Sequence, residues 1–222
     1  MSVIDKKYLY EYGFDVNSQN GEDGINLFLL NSLNITGGLV LEIGAWDGFY
    51  LSNTANIWSK DSNYNAILIE ALDRLDKIKL ESSYANVDCY NIAVDNNITL
   101  EKIISNSKFC PTHDSFVLAS IDVDGDDLNV TKGLGRFKPI ILIVEPNGDI
   151  IERKNPGGHT VSDLINLGKS MGYTFLGMSG YPDKHSGNVY LIRNDYASSF
   201  KITKKLWNER GILCPGGKLF LE

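Results

Sequence analysis

The sequence is poor in cysteine, with three among 222 residues. Cys89, Cys110 and Cys214 lie far apart, form no CxxC pair and suggest no disulfide framework, so a reducing compartment is expected. Long apolar runs are missing too. The longest, around residues 140–144, falls far short of the roughly 18 residues that cross a bilayer. The opening residues, MSVIDKKYLYEYGFD, carry charge where a signal peptide has its apolar stretch. A cytoplasmic location without a membrane partner is the expectation. Nor is there an excess of positive charge. Lys and Arg number 21 against 28 Asp and Glu, for a net charge of −7. Reading a phosphate backbone rests on clustered cations, so nucleic acid is not an expected partner.

What is present fits one α/β domain spanning 1–222, with a helical segment at 1–36, a sheet core at 37–193 and a tail at 194–222. Hydrophobic residues at 43% and charged residues at 22% are ordinary for a globular chain. The first helix is expected to be capped by Asn20, with Asp23 at its third position and Ile25, Phe28, Leu29 and Leu33 at helical spacing. Short Val/Ile/Leu-rich runs then occur at 39–43, 66–69, 87–91, 117–121 and 140–144, the length of strands buried on both faces. Helical candidates separate them at 52–60 and at 72–84, the latter with Leu75, Ile78 and Leu80 facing a core. This alternation predicts a parallel sheet with right-handed crossovers. A helix at 161–171 precedes two further strands, 173–178 and 188–192. The loop joining them, 179–187, is too short for a parallel crossover, so this pair is expected to be antiparallel. Pro215-Gly216-Gly217 marks a turn in the tail.

Open parallel sheets bind ligands outside the carboxyl ends of their strands. Those exits carry Glu42, Gly44 and Asp47, then Glu70, then Asn91 and Ala93, then Asp122 and Asp124, then Glu145 and Asn147. The first turn, Glu42-Ile-Gly-Ala-Trp-Asp-Gly48, lacks the second glycine of a dinucleotide fingerprint. Trp46 stands there instead. Glu42 and Asp47 would repel two phosphates by several kcal/mol, order of magnitude, in a partly desolvated cleft. The turn suits a cofactor with a cationic end and no phosphate, as S-adenosylmethionine has. Glu70 can then accept from both ribose hydroxyls. Trp46 is expected either to stack near adenine or acceptor or to pack in the core.

Segments Ser18-Gln-Asn-Gly-Glu-Asp-Gly24, Leu41-Glu-Ile-Gly-Ala-Trp-Asp-Gly48, Ser52-Asn-Thr54, Leu68-Ile-Glu70, Asn91-Ile-Ala-Val94 and Ile121-Asp-Val-Asp-Gly125 together resemble the FkbM-like methyltransferases. The resemblance runs in order from about residue 17 to 193. It implies a class I S-adenosylmethionine-dependent enzyme with a doubly wound, mostly parallel seven-stranded sheet and an antiparallel last strand. It also implies O-methyl transfer, often to sugars or natural-product hydroxyls. The candidate cofactor-binding residues are Gln19, Glu42, Gly44, Asp47, Asn53, Glu70, Ala71, Ala93 and Asp122, with Glu22 and Asp23 folding over the cofactor. Asp124 departs from the Glu frequent at the matching position, and Glu145-Pro146-Asn147 is a second departure.

A sugar hydroxyl is a poor nucleophile at neutral pH and needs a base or a metal. Asp122 and Asp124, two apart, would face the same side of an extended strand end. With His159 they are the candidate bases. Asp122, Glu145 and Asn147 offer hard oxygen ligands from neighbouring strands for Mg²⁺ or Mn²⁺. Asp122, Asp124 and Asp126 match the start of an EF-hand loop, but Asp127 and Gly133 fail its sixth and twelfth positions. His113 lies at the wrong end of its strand, and His185 falls in the 179–187 loop. The expected partner is a sugar or sugar nucleotide, with a homo-oligomer compatible. Two rival readings are an NAD-dependent sugar oxidoreductase or epimerase, against which Trp46 and the missing glycines weigh, and a non-catalytic nucleotide-binding module of the same fold.

Overall fold

Seven short apolar runs form strands: β1 (Gly38–Ile43), β2 (Tyr64–Glu70), β3 (Val87–Asn91), β4 (Phe116–Ile121), β5 (Ile141–Val144), β6 (Tyr173–Met178) and β7 (Val189–Arg193). The computed structural model describes residues 9–93, 100–147, 159–180 and 187–200. The strands make one sheet in the order β3-β2-β1-β4-β5-β7-β6. All pairings from β3 through β5 are parallel, and β7 is antiparallel to both β5 and β6. The sheet is therefore mixed and seven-stranded, as expected, with its reversal in the last strand.

Side chains alternate across the sheet, and each face has its own core. Leu41 and Ile43 of β1 join one cluster with helices α4 (Leu100–Ser105), α5 (Asp127–Lys132) and α6 (Val161–Ser170). Val40, on the opposite face of the same strand, joins the other with α1 (Glu22–Ser32), α2 (Ala55–Trp58) and α3 (Lys77–Ser83). Covering both faces explains why the strands read as continuous apolar runs rather than alternating ones. Thr160 caps α6 in a reciprocal box with Asp163.

Several sequence expectations are corrected. The first helix is entered through Gly21 at φ 89°, with no side-chain cap. Asp23 is turned away to accept from the backbone N–H of Val16, Asn17 and Ser18 (2.7–2.8 Å). The helix expected over 52–60 shrinks to α2, because Ser52, Asn53 and Thr54 are drawn to Glu42 instead. The one expected over 72–84 begins only after the Asp76 cap, as Glu70 holds the Leu72 N–H in a turn. Ile78 is 84% exposed. It sits two residues from Leu80 and so on the far side of the helix. The sequence pattern did not reveal α4. Cys89 is buried and Cys110 is exposed. Cys214, His185 and the Pro215-Gly216-Gly217 turn lie outside the described residues. No helix among the described residues is long and apolar enough to cross a membrane.

Candidate active site

The carboxyl ends of β1, β2, β4 and β5 meet on one rim. At its centre β1 and β4 come unusually close. Gly44 comes directly after β1 at φ +82°, and a Cβ there would overlap the Asp122 carbonyl oxygen. The Asp122 N–H donates to the Ile43 carbonyl at 3.0 Å. Only glycine fits both the left-handed backbone and the approach.

Glu42, just before this turn, is buried. Its carboxylate accepts from Ser52 Oγ (2.6 Å), Thr54 Oγ1 (2.6 Å) and the Asn53 N–H (2.7 Å). Burial pushes its pKa up to about 7, against the pull of those three donors. Glu42 thereby anchors the loop between β1 and α2. Asn53, also buried, donates from Nδ2 to Ser120 Oγ on β4 (2.9 Å), and its carbonyl accepts from Asn26 of α1 (2.7 Å). Asp47 is exposed and accepts from the N–H of Phe49 and Tyr50. Trp46 is 40% exposed, which overturns the core-packing alternative.

Glu70 ends β2, nearly buried. One oxygen accepts from the Trp46 N–H (2.8 Å) and the other from the Leu72 N–H (2.9 Å). A carboxylate has about four lone-pair positions, so both oxygens keep capacity for further donors. Ala71 and Ala93 are exposed beside the ends of β2 and β3. Gln19 is exposed on the strap that precedes α1. Glu22 accepts from the Asn20 N–H (2.8 Å), Ser179 Oγ (2.6 Å) and Asn188 Nδ2 (3.1 Å), tying that strap to the β6 and β7 side of the rim.

The acids on the other side of Gly44 form a tighter group. One carboxylate oxygen each of Asp122, Asp127 and Glu145 lie within 4.8 Å of one another. Burial holds the Asp122 carboxyl far above the usual carboxylate range. The charge of Glu145 and a hydrogen bond to it push the same way. The two carboxyls thus oppose each other's ionisation, and a hydrogen bond joins them. Asp127 is fully buried at the start of α5 and is also raised by burial, opposed by the backbone N–H groups of Val123 and Gly125. Asn147 contributes its amide nitrogen, donating to Asp127 Oδ2 (2.9 Å) and to the Gly125 carbonyl (3.1 Å). It orients Asp127, so the close trio contains Asp127 where the sequence suggested Asn147. Asp124 takes φ 56° and is exposed. The chain has left the extended state there, and Asp124 does not share the inward face of Asp122.

His159 is buried beside the α6 cap, with Nε2 2.9 Å from the Glu145 carbonyl oxygen. A carbonyl only accepts, so Nε2 carries a proton and donates to it. His113 is exposed and paired with Asp114 at 3.0 Å.

No protein-family model and no curated protein matches the sequence. Solved structures match in three dimensions. One is the magnesium protoporphyrin IX methyltransferase of Synechocystis PCC 6803 with bound SAH, at TM-score 0.51 and 12% identity, covering 78% of this chain and 81% of that one. Another is a proposed O-methyltransferase from Klebsiella pneumoniae, at TM-score 0.51 and 16% identity, covering 84% and 88%. The fold is that of Rossmann-like methyltransferases. At such identities the likeness concerns the path of the chain, and the rim must be judged on its own side chains.

The residue that sequence reasoning missed is Asp127. It entered only as a failed EF-hand position, although an Asp opening a helix five residues after Asp122 was a usable sign. Asn26 and Ser120, which brace Asn53, carried no sequence signal, because their roles depend on contacts across the fold.

Proposed function

We propose that the protein is an S-adenosylmethionine-dependent O-methyltransferase of the FkbM-like kind, acting in the cytoplasm on a hydroxyl of a sugar or sugar nucleotide. The observation that carries this reading is one rim joining the Gly44 turn, the Glu70 carboxylate and the closely grouped acids Asp122, Asp127 and Glu145. The donor set fits the cofactor. Glu70 retains lone pairs for the two ribose hydroxyls, and the acids around Gly44 favour a cationic group and oppose phosphates. Bound there, S-adenosylmethionine supplies a methyl group on a positively charged sulfur.

The chain's own part is to orient the acceptor and take its proton. The hydrogen-bonded pair Asp122 and Glu145 offers a carboxylate oxygen to receive the hydroxyl proton as the new O–C bond forms and the S–C bond breaks. His159, bonded to the Glu145 backbone, positions the strand exit that bears this pair. Asp122, Asp127 and Glu145 are hard oxygen donors grouped closely enough to hold Mg²⁺ or Mn²⁺. Such an ion would lower the pKa of a coordinated hydroxyl.

Calorimetric titration with S-adenosylhomocysteine tests the cofactor assignment. The unaltered chain is expected to bind it and Glu70→Ala to bind at least about tenfold more weakly, as expected when a charge-assisted pair of hydrogen bonds is removed. Equal affinity in the two chains would remove Glu70 from the ribose. Release of S-adenosylhomocysteine in the presence of sugar nucleotides tests turnover.

A further inference from the structure

Trp46 occupies an unusual position. Its backbone lies at φ 49°, a region that favours glycine and asparagine and that a bulky residue seldom adopts. Burial does not offset this, because 40% of its surface faces solvent. The conformation is held by the neighbouring structure. Glu70 takes the Trp46 N–H, and Asp47 fixes the loop beyond it through the N–H groups of Phe49 and Tyr50. An indole is thus displayed on the rim at a position where glycine would be easier. Strain of this kind, kept by its surroundings, points to a use.

Two neighbours suggest the use. The Arg74 guanidinium lies over the indole, 3.5 Å from the ring centroid. Stacking satisfies its flat face and leaves its N–H groups pointing outward in the plane. Among the described residues the Arg74 side chain makes no hydrogen bond and no ion pair, even though the rim is acidic and the chain carries a net charge of −7. Tyr50, 56% exposed, lies 5.6 Å from Trp46 with its ring tilted by 51°. Two exposed aromatic rings at an angle offer stacking surface to a flat heterocycle, and every base has such a face. A stacked arginine beside them offers a fork that matches phosphate oxygens.

We infer that Trp46, Tyr50 and Arg74 form a second ligand subsite, for the base and diphosphate of a nucleotide-linked acceptor. The inference deepens the proposed function and rests on it, since it names which acceptor class that rim selects. Most of the rim repels anions. Arg74 gives the phosphates one favourable place, next to the cofactor cleft, and so turns the sugar end of the acceptor towards Asp122. A free sugar would leave these three side chains without a role.

The test is calorimetry on the full chain with UDP, CDP and GDP as probes, with and without saturating S-adenosylhomocysteine. At least one nucleotide is expected to bind under both conditions. Arg74→Gln should weaken it about tenfold, and Arg74→Lys should recover little, because an ammonium offers no planar fork. Trp46→Gly should weaken it by a similar factor while its thermal midpoint stays level or rises, since glycine relieves the positive φ. Affinity for S-adenosylhomocysteine should not change in these variants.

Three outcomes overturn the inference: no nucleotide binds, the nucleotide competes with S-adenosylhomocysteine, or neither Arg74→Gln nor Trp46→Gly weakens nucleotide binding. A loss of S-adenosylhomocysteine affinity in Trp46→Gly would also overturn it, by giving the indole to adenine. Failure of the unaltered chain to bind S-adenosylhomocysteine would refute the proposed function instead, and the nucleotide titrations without it would still decide the subsite.

Discussion

The Glu42 carboxyl should make the protein less stable as pH rises, and replacing it should remove that loss. Its pKa is about 7 in the folded state against 4.5 for the ordinary side chain, chiefly because it is buried. A carboxyl raised on folding contributes stability below its unfolded pKa, and the contribution is lost as pH rises through the folded value. Between pH 4.5 and pH 8, a difference of about 2.5 units corresponds to about 3 kcal/mol. Glu22, Asp122 and Asp127 are raised as well and add slopes of the same sign. The single-group effect therefore has to be read as a difference between two chains. Glu42→Gln keeps the shape and mimics the protonated form, accepting from the Asn53 N–H and donating to the hydroxyls of Ser52 and Thr54. Urea unfolding at several pH values should show wild type losing about 3 kcal/mol more than the variant from pH 4.5 to pH 8. Parallel curves for the two chains would refute the argument that desolvation outweighs the three donors.

The same geometry carries other expected outcomes. Gly44→Ala meets both the left-handed φ and the Asp122 carbonyl, and should cost more than about 3 kcal/mol in denaturant unfolding; a loss below about 1 kcal/mol would mean that β1 and β4 part easily. Asp122→Asn should reduce turnover by at least about a hundredfold while S-adenosylhomocysteine affinity in calorimetry changes less than about twofold. Normal turnover in that variant removes Asp122 from the chemistry. Exhaustive chelation should reduce turnover about tenfold or more, with recovery on adding Mg²⁺ or Mn²⁺; activity that survives chelation removes the metal.

Local sequence determined most of the framework. A strand covered on both faces is predominantly apolar, so the runs at 39–43 and 117–121 could be placed from composition despite Glu42 and Ser120 within them. The short connection between β6 and β7 dictated an antiparallel pair, because no crossover fits its length. Glu70, Asp122 and Glu145 stand at the carboxyl ends of apolar runs, so their place on the rim was legible once those ends were located.

Tertiary structure decided which of these groups act on one another. A carboxylate bonds to whichever donors the fold presents, and sequence distance does not reveal them. Glu42 takes the hydroxyls and N–H of 52–54 and so shortens α2, while Glu22 reaches Ser179 and Asn188 from the far end of the chain. Asp124 looked equivalent to Asp122 on an extended strand end, but the backbone turns at φ 56° and leaves Asp124 in solvent, with Asp127 beside Asp122 instead. Strand positions are set by local apolar pattern. The pairing of buried charges is set by long-range packing, because desolvation and hydrogen bonding act only between groups that the fold has already brought together.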